Sequence, residues 1–355
     1  MTVPSNRACV WVGKRKIEVQ QKPVAPVGDG DVLVEIITTG ICGSDCHTYE
    51  SDQVSRQLVM GHESSGLIKE VGKDVKDRFV GQRVAVEPGL TCMACEFCLK
   101  GNPNICVDLK YCGMDPTDGT LCQYFTCRSS MAVPIPENVS WEEAGSIQPL
   151  AVAVHLARRA SLTAHKSLAI FGCGPLGLLV LAVARAYGVR RVCMFDIEKS
   201  RADFAVSYGA DAGHVPPKLE KGKDSLEHAQ EYADKMIKEL DAGHGFDVTV
   251  EASGAAICAQ MAVCFLKAGG TCIQAGLGKP LASVPLFLIT AKELNLKGTV
   301  RFTPGCFEDA IDLLARKKVD LKPLITSTYP LTKSAEAFEA QLARKDIKII
   351  IKNQE

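Results

Sequence analysis

The apolar positions change period partway along the chain. Through its first third they come as short runs broken by glycine and aspartate, the spacing of β-strands. Residues 8–90 read as β, with Asp31–Ile36 and Gln82–Val86 as clear strands. A cysteine-rich loop spans 91–106, and strands resume over Leu121–Cys127 and Val133–Pro136. Helical spacing then sets in: Glu142–Arg159 is alanine-rich and reads as a helix interrupted by Pro149. From Ser167 strand and helix alternate. Strands are expected at Ser167–Phe171, Val192–Phe195, Phe246–Val250 and Thr271–Ala275, and helices at Leu176–Tyr187, Ser200–Tyr208 and Ala255–Lys267. That alternation predicts a parallel sheet wrapped by helices. Residues 216–242 carry charges of both signs and read as a solvated helix with its approach loop. The apolar run Val284–Ile289 suits either an internal strand or a sheet edge that pairs between subunits.

A chain of 355 residues exceeds what one hydrophobic core usually serves, so two domains are expected. With 46% apolar and 23% charged residues, the composition is that of a soluble globular protein. The formal net charge is zero, so no basic excess points to nucleic acid or an anionic membrane. No apolar run is long enough to span a bilayer, and residues 1–7 lack the apolar core of a signal peptide. A cytoplasmic enzyme is the expectation. Most of the sixteen cysteines, such as Cys193 and Cys272, sit singly in apolar runs and read as buried small hydrophobes. Cys42 and the cluster from Cys92 to Cys106 stand apart.

Gly172-Cys173-Gly174-Pro175-Leu176-Gly177 matches G-x-G-x-x-G between an apolar strand and an apolar helix. The glycines permit a tight turn, approach of backbone N–H groups to a pyrophosphate, and close helix–strand packing. The helix N-terminus then faces the phosphates. Asp196 lies 19 residues after Gly177, where a carboxylate accepts hydrogen bonds from ribose hydroxyls and repels a 2′-phosphate, favouring NAD over NADP. Arg201 could stack on adenine or reach a phosphate.

Two groups of metal ligands stand out. Cys92-x2-Cys95-x2-Cys98-x7-Cys106 can close a thiolate tetrahedron around a structural zinc, with an iron–sulfur cluster as the alternative. Cys42, His62 and Glu63 are also plausible zinc ligands, and three protein ligands leave one position open. Spacing alone does not bring 42 and 62 together.

Gly61-His62-Glu63-x2-Gly66-x5-Gly72-x2-Val75 resembles the zinc signature of the medium-chain alcohol dehydrogenases. The four-cysteine lobe and the glycine fingerprint follow in that family's order, and the resemblance covers the chain. Within the family it is most similar to the polyol branch: sorbitol, xylitol and arabinitol dehydrogenases. The resemblance implies an α/β chain with a doubly wound Rossmann domain at 151–292. It also implies a discontinuous, β-rich GroES-like catalytic domain from 1–150 and 293–355, with the structural zinc lobe at 91–106 and the active cleft between the domains. By the same resemblance Cys42, His62 and Glu63 bind a catalytic zinc, and Ser44 and His47 form a proton relay. Tyr111 and Arg301 would line the substrate pocket, and Gly276, Leu277, Thr299, Val300 and Arg301 would meet the cofactor.

Some positions depart from the branch. Gln148 replaces the usual glutamate, Thr48 an aromatic residue and Met114 a threonine, and the stretch from Cys42 to His62 is shortened. All fall around the substrate. Gln148 keeps the metal site neutral where a glutamate would make it negative. The implied activity is hydride transfer between a secondary alcohol of polyol type and NAD. Two zinc ions per chain, a small-molecule alcohol or ketone, and a homodimer or homotetramer go with it. Two other readings stay open: a relative that tailors a larger hydroxylated or carbonyl metabolite, and a catalytically silent NAD-binding protein.

Overall fold

The structure, a computed structural model, describes residues 5–52 and 54–355. Its contacts divide the chain into one unit formed up to Ala151 and over Thr303–Glu355, and a second formed by Val152–Phe302.

The second unit is built on six parallel strands: β1 (Ser167–Phe171), β2 (Arg191–Phe195), β3 (Ala212–His214), β4 (Phe246–Glu251), β5 (Leu266–Gln274) and β6 (Asn295–Gly298). They lie in the order β3-β2-β1-β4-β5-β6, the doubly wound dinucleotide-binding order, which reverses between β1 and β4. β1 is buried at every position because helices cover both faces of the sheet. An aromatic cluster fills one side. Phe171 and Phe195 stack at 4.9 Å, and Phe265 meets them edge-on at 5.1 and 5.0 Å. The charged stretch 216–242 contains helix Ser225–Glu239, which buries Ala229, Tyr232, Ala233 and Met236 and turns its charges outward. Asp224 caps it, accepting from the N–H groups of Leu226 and Glu227.

Three details differ from expectation. The helix expected over Ala255–Lys267 ends at Cys264, because Leu266 already pairs with Phe246. Val284–Ile289 is no strand: Pro285 offers no ladder donor, and the chain turns into a short helix, Leu286–Ala291. The sheet edge is β6 instead, so residues 293–302 lie in this unit and not in the first.

The first unit carries a seven-stranded sheet centred on Asp31–Gly40, flanked by Glu63–Val71 and Lys348–Lys352, both antiparallel to it. The last strand arrives from the far end of the chain, which makes this unit discontinuous. Residues 8–90 are not β throughout: Gly43–Glu50 is a helix, started where the Asp45 carboxylate accepts from Cys42 N–H at 3.1 Å. The interruption expected at Pro149 falls earlier, at Gly145–Ser146, between helices Trp141–Ala144 and Ile147–Arg159. Pro149 sits in the first turn of the second helix, where its missing N–H costs no bond.

Candidate metal and dinucleotide sites

In the first unit, antiparallel pairing sets Gly40 opposite Glu63. That register brings the residues just after Gly40 beside those just before Glu63. One ligand atom each from Cys42, His62 and Glu63 consequently lies within 4.8 Å of the others. Ser44 Oγ donates to Cys42 Sγ at 3.2 Å and stands 3.5 Å from His62 Nε2, so Nε2 is the nitrogen that faces the sulfur. On the far side of the ring, Asp45 Oδ1 is 3.2 Å from Nδ1, close enough for ion pairing but poorly aligned for a hydrogen bond. Behind Glu63, Lys348 Nζ donates to Oε2 and also, at 3.0 Å, to Ile41 O. Gly40 leaves room for this: a Cβ there would lie 2.8 Å from Lys348 Cε.

Zinc fits this constellation. Glu63 is buried, and its Oε1 has no hydrogen-bond partner among the described residues, an expensive state unless a cation takes the lone pair. Burial opposes charge on His62, but Asp45 and the Cys42 sulfur outweigh it and hold the imidazole well above its ordinary pKa. The pocket therefore attracts positive charge at the spot where the three ligands meet. Asp45 and Lys348 are opposite in sign, so the negative charge left for a dication is that of Cys42 and Glu63.

Cys92, Cys95, Cys98 and Cys106 also place their sulfurs within 4.8 Å of one another, with individual separations of 3.5, 3.9 and 4.0 Å. Zinc–sulfur bonds of about 2.3 Å in a tetrahedron put sulfurs about 3.8 Å apart. Backbone N–H groups of Cys98 and Val107 draw the Cys95 thiol down to about 6, whereas desolvation and the neighbouring sulfurs push Cys98 up to about 12. The Cys95 thiolate thus forms readily, whereas that of Cys98 needs a cation. Helix Glu96–Leu99 and the turn Pro103–Ile105 bury none of their residues, so this lobe has little core of its own.

In the second unit, Gly172 has φ +110° and a Cβ on Gly177 would fall 1.9 Å from Gly172 O, so neither position admits a side chain. Gly174 caps helix Pro175–Ala186 without a side-chain bond, with Pro175 first in the helix and Leu176 half-buried behind it. The first N–H groups of that helix are thus left for an anion. Asp196, at the end of β2, accepts from Cys173 N–H at 2.7 Å and Glu198 N–H at 2.9 Å, which fixes its carboxylate beside the glycine loop. Arg201 is half-buried in the first turn of the following helix, Lys199–Ser207. Gly276 and exposed Leu277 follow β5. Thr299, whose N–H bonds Gln274 O at 3.2 Å, exposed Val300 and left-handed Arg301 (φ +51°) follow β6. All lie at the carboxyl ends of the strands, where doubly wound sheets bind ligands.

The remaining residues are in the first unit. Gln148 is buried and donates its Nε2 to Tyr111 OH at 2.8 Å, and the Tyr111 ring lies 5.7 Å from that of His62. Thr48 is half-buried and His47 exposed on helix Gly43–Glu50, and Met114 is exposed. Asp45 and Lys348 were not expected from sequence. A lysine opening the run Lys348-Ile349-Ile350-Ile351 was a signal, since a buried strand rarely starts with an unpaired charge.

Two family models match: the alcohol dehydrogenase GroES-like domain over residues 28–137 and the zinc-binding dehydrogenase domain over 175–316. The chain belongs to the zinc-binding alcohol dehydrogenase family. It is 38% identical to the D-xylulose reductase A of Aspergillus niger, over 99% of this chain and 97% of that protein. A probable D-xylulose reductase A of Aspergillus clavatus shows the same identity and coverage. Among solved structures it resembles L-idonate 5-dehydrogenase of Escherichia coli (28% identity, TM-score 0.86, 98% of each chain). It also resembles an Escherichia coli alcohol dehydrogenase complexed with NADH (25% identity, TM-score 0.88, 98% of this chain and 100% of that one). The protein is accordingly an oxidoreductase of the zinc-binding dehydrogenase class.

Proposed function

We propose that the enzyme interconverts a small polyol of the xylitol class and its ketose, with Cys42, His62 and Glu63 holding the catalytic zinc and the four-cysteine lobe a structural one. The observation that carries this reading is the convergence of those three side chains around the lone acceptor Glu63 Oε1. Zinc bound there supplies a Lewis acid for the alcohol oxygen, and NAD supplies the hydride acceptor. Asp45 orients His62, and Lys348 holds Glu63 by one oxygen so that the other stays with the metal ligands. Ser44 takes the alcohol proton and exposed His47 releases it to solvent. Tyr111 and Gln148 bind substrate hydroxyls as a hydrogen-bonded pair, beside Thr48 and Met114. Asp196 binds the adenosine ribose, Arg201 the adenosine end, and the loops at Gly276–Leu277 and Thr299–Arg301 the nicotinamide half.

The enzyme works as a homodimer or homotetramer. Leu286 is 70% and Phe287 85% exposed, next to the open edge strand β6, and a second copy covers them by edge pairing. No described helix is long and apolar enough to cross a membrane. None of the sixteen cysteines is in a disulfide, as suits a cytoplasmic enzyme.

The test is NADH production by zinc-loaded enzyme with xylitol, sorbitol and arabinitol, alongside metal analysis. Turnover on a polyol with two zinc ions per chain is expected. Two zinc ions without polyol turnover would favour a dehydrogenase for larger metabolites. A single zinc, held by the lobe, would mean a silent NAD-binding protein.

A further inference from the structure

Glu251 ends β4 and is fully buried, yet no lysine, arginine or histidine pairs with it among the described residues. Its partners are neutral donors. Oε1 accepts from Ser253 N–H at 2.8 Å, from Gly254 N–H at 2.9 Å and from the Ser253 hydroxyl. Oε2 accepts from Gln274 Nε2 at 2.7 Å and from Gly254 N–H at 3.1 Å. Every partner donates to it, the arrangement of an ionised carboxylate. The backbone carbonyl of Glu251 accepts in turn from Ala275 and Gly276 N–H at 2.9 and 2.8 Å.

These bonds tie the loops after β4 and β5 into one block. A Cβ on Gly276 would lie 2.2 Å from Gly254 N, and one on Gly254 would lie 2.3 Å from Leu277 O. The block also abuts the fingerprint turn, since a Cβ on Gly172 would lie 3.0 Å from Ser253 N. Glu251 thus sits under the carboxyl ends of β1, β4 and β5, at the point where the strand order reverses. Dinucleotides bind there. The nicotinamide ring is positively charged when oxidised and neutral when reduced. A fixed negative charge with no counter-cation acts differently on the two, and more strongly in a low-dielectric interior than in water.

We propose that Glu251 is a positioning residue whose uncompensated charge favours binding of the oxidised dinucleotide over the reduced one. This rests on the dehydrogenase reading above and on the Gly276–Leu277 loop meeting the nicotinamide half. A purely structural Glu251 would support both forms of the cofactor alike. The ratio of the two dissociation constants therefore separates the electrostatic role from the structural one.

The experiment is titration calorimetry of NAD+ and NADH on zinc-loaded wild type, Glu251→Gln, Gln274→Lys and Ser253→Ala. Glu251→Gln removes the charge. Gln274→Lys keeps the carboxylate and places an ammonium on it from an exposed position, so it tests the same charge even if the first variant does not fold. In both, NAD+ affinity should fall about tenfold relative to NADH affinity. Ser253→Ala keeps the charge and loses the hydroxyl's two hydrogen bonds, to Glu251 Oε1 and from Ala255 N–H, so the ratio should stay at its wild-type value. Equal weakening of both dinucleotides in the two charge variants, or a ratio shift of the same size in Ser253→Ala, overturns the proposal. Wild type that binds neither dinucleotide would sink the dehydrogenase reading as well, whereas wild type that binds both beside an unmoved ratio sinks only the role of Glu251.

Discussion

The two candidate metal centres of the first unit are built in opposite ways. The cysteine lobe takes all its ligands from one short loop, leaves three of the four half-exposed and surrounds them with little but backbone N–H groups. The Cys42–His62–Glu63 centre takes its ligands from a helix start and a strand start, buries two of them, and backs them with Asp45, Ser44 and a lysine from the last strand. In the lobe a bound metal would organise the protein. In the other centre the sheet organises the ligands before any metal arrives. Loss of metal should therefore unfold the first and leave the second standing.

The largest effect should come from the lobe. Cys95→Ser is expected to remove one zinc per chain and with it binding free energy on the order of 10 kcal/mol that also folds the loop. Limited proteolysis should then cut within 91–106, and an uncut loop would refute the contrast. His62→Ala should remove the other zinc, abolish at least a thousandfold of the turnover, and leave the loop protected, since several kcal/mol of Lewis-acid stabilisation would be gone. Lys348→Met should weaken zinc at that centre roughly ten- to a hundredfold without touching the lobe, with Lys348→Arg recovering part of it. Competition with a chromogenic chelator reads this directly, and equal loss at both centres would count against a specific role for Lys348.

Gln148→Glu carries the smallest expected effect. A second carboxylate near the ligands makes the centre negative and disfavours loss of the alcohol proton, so the acidic limb of the kcat–pH profile should rise by about one unit. A limb that stays or moves down in pH would show that Gln148 serves only to hold Tyr111.

How much of this was legible follows the same contrast. The lobe reads directly from cysteine spacing because its ligands are neighbours in the chain. The parallel sheet reads from near-continuous apolar runs, which only strands buried on both faces need. Convergence of Cys42 with His62 and Glu63 depends on the register of Gly40 with Glu63, which no local pattern encodes, so only family resemblance suggested it. Lys348 lies 285 residues from Glu63 and was invisible until the last strand found its place in the sheet. Helix Gly43–Glu50 has no apolar stripe, so periodicity could not reveal it. Val284–Ile289 misled because a short apolar run looks the same in a strand and in a helix.

The most direct test of the central claim is anomalous diffraction at the zinc edge from crystals of fully metal-loaded protein. Two peaks per chain are predicted. One should lie in the cysteine lobe. The other should lie about 2.3 Å from Cys42 Sγ and about 2.0–2.1 Å from His62 Nε2, with Glu63 also bound. A single peak, confined to the lobe, would contradict the account.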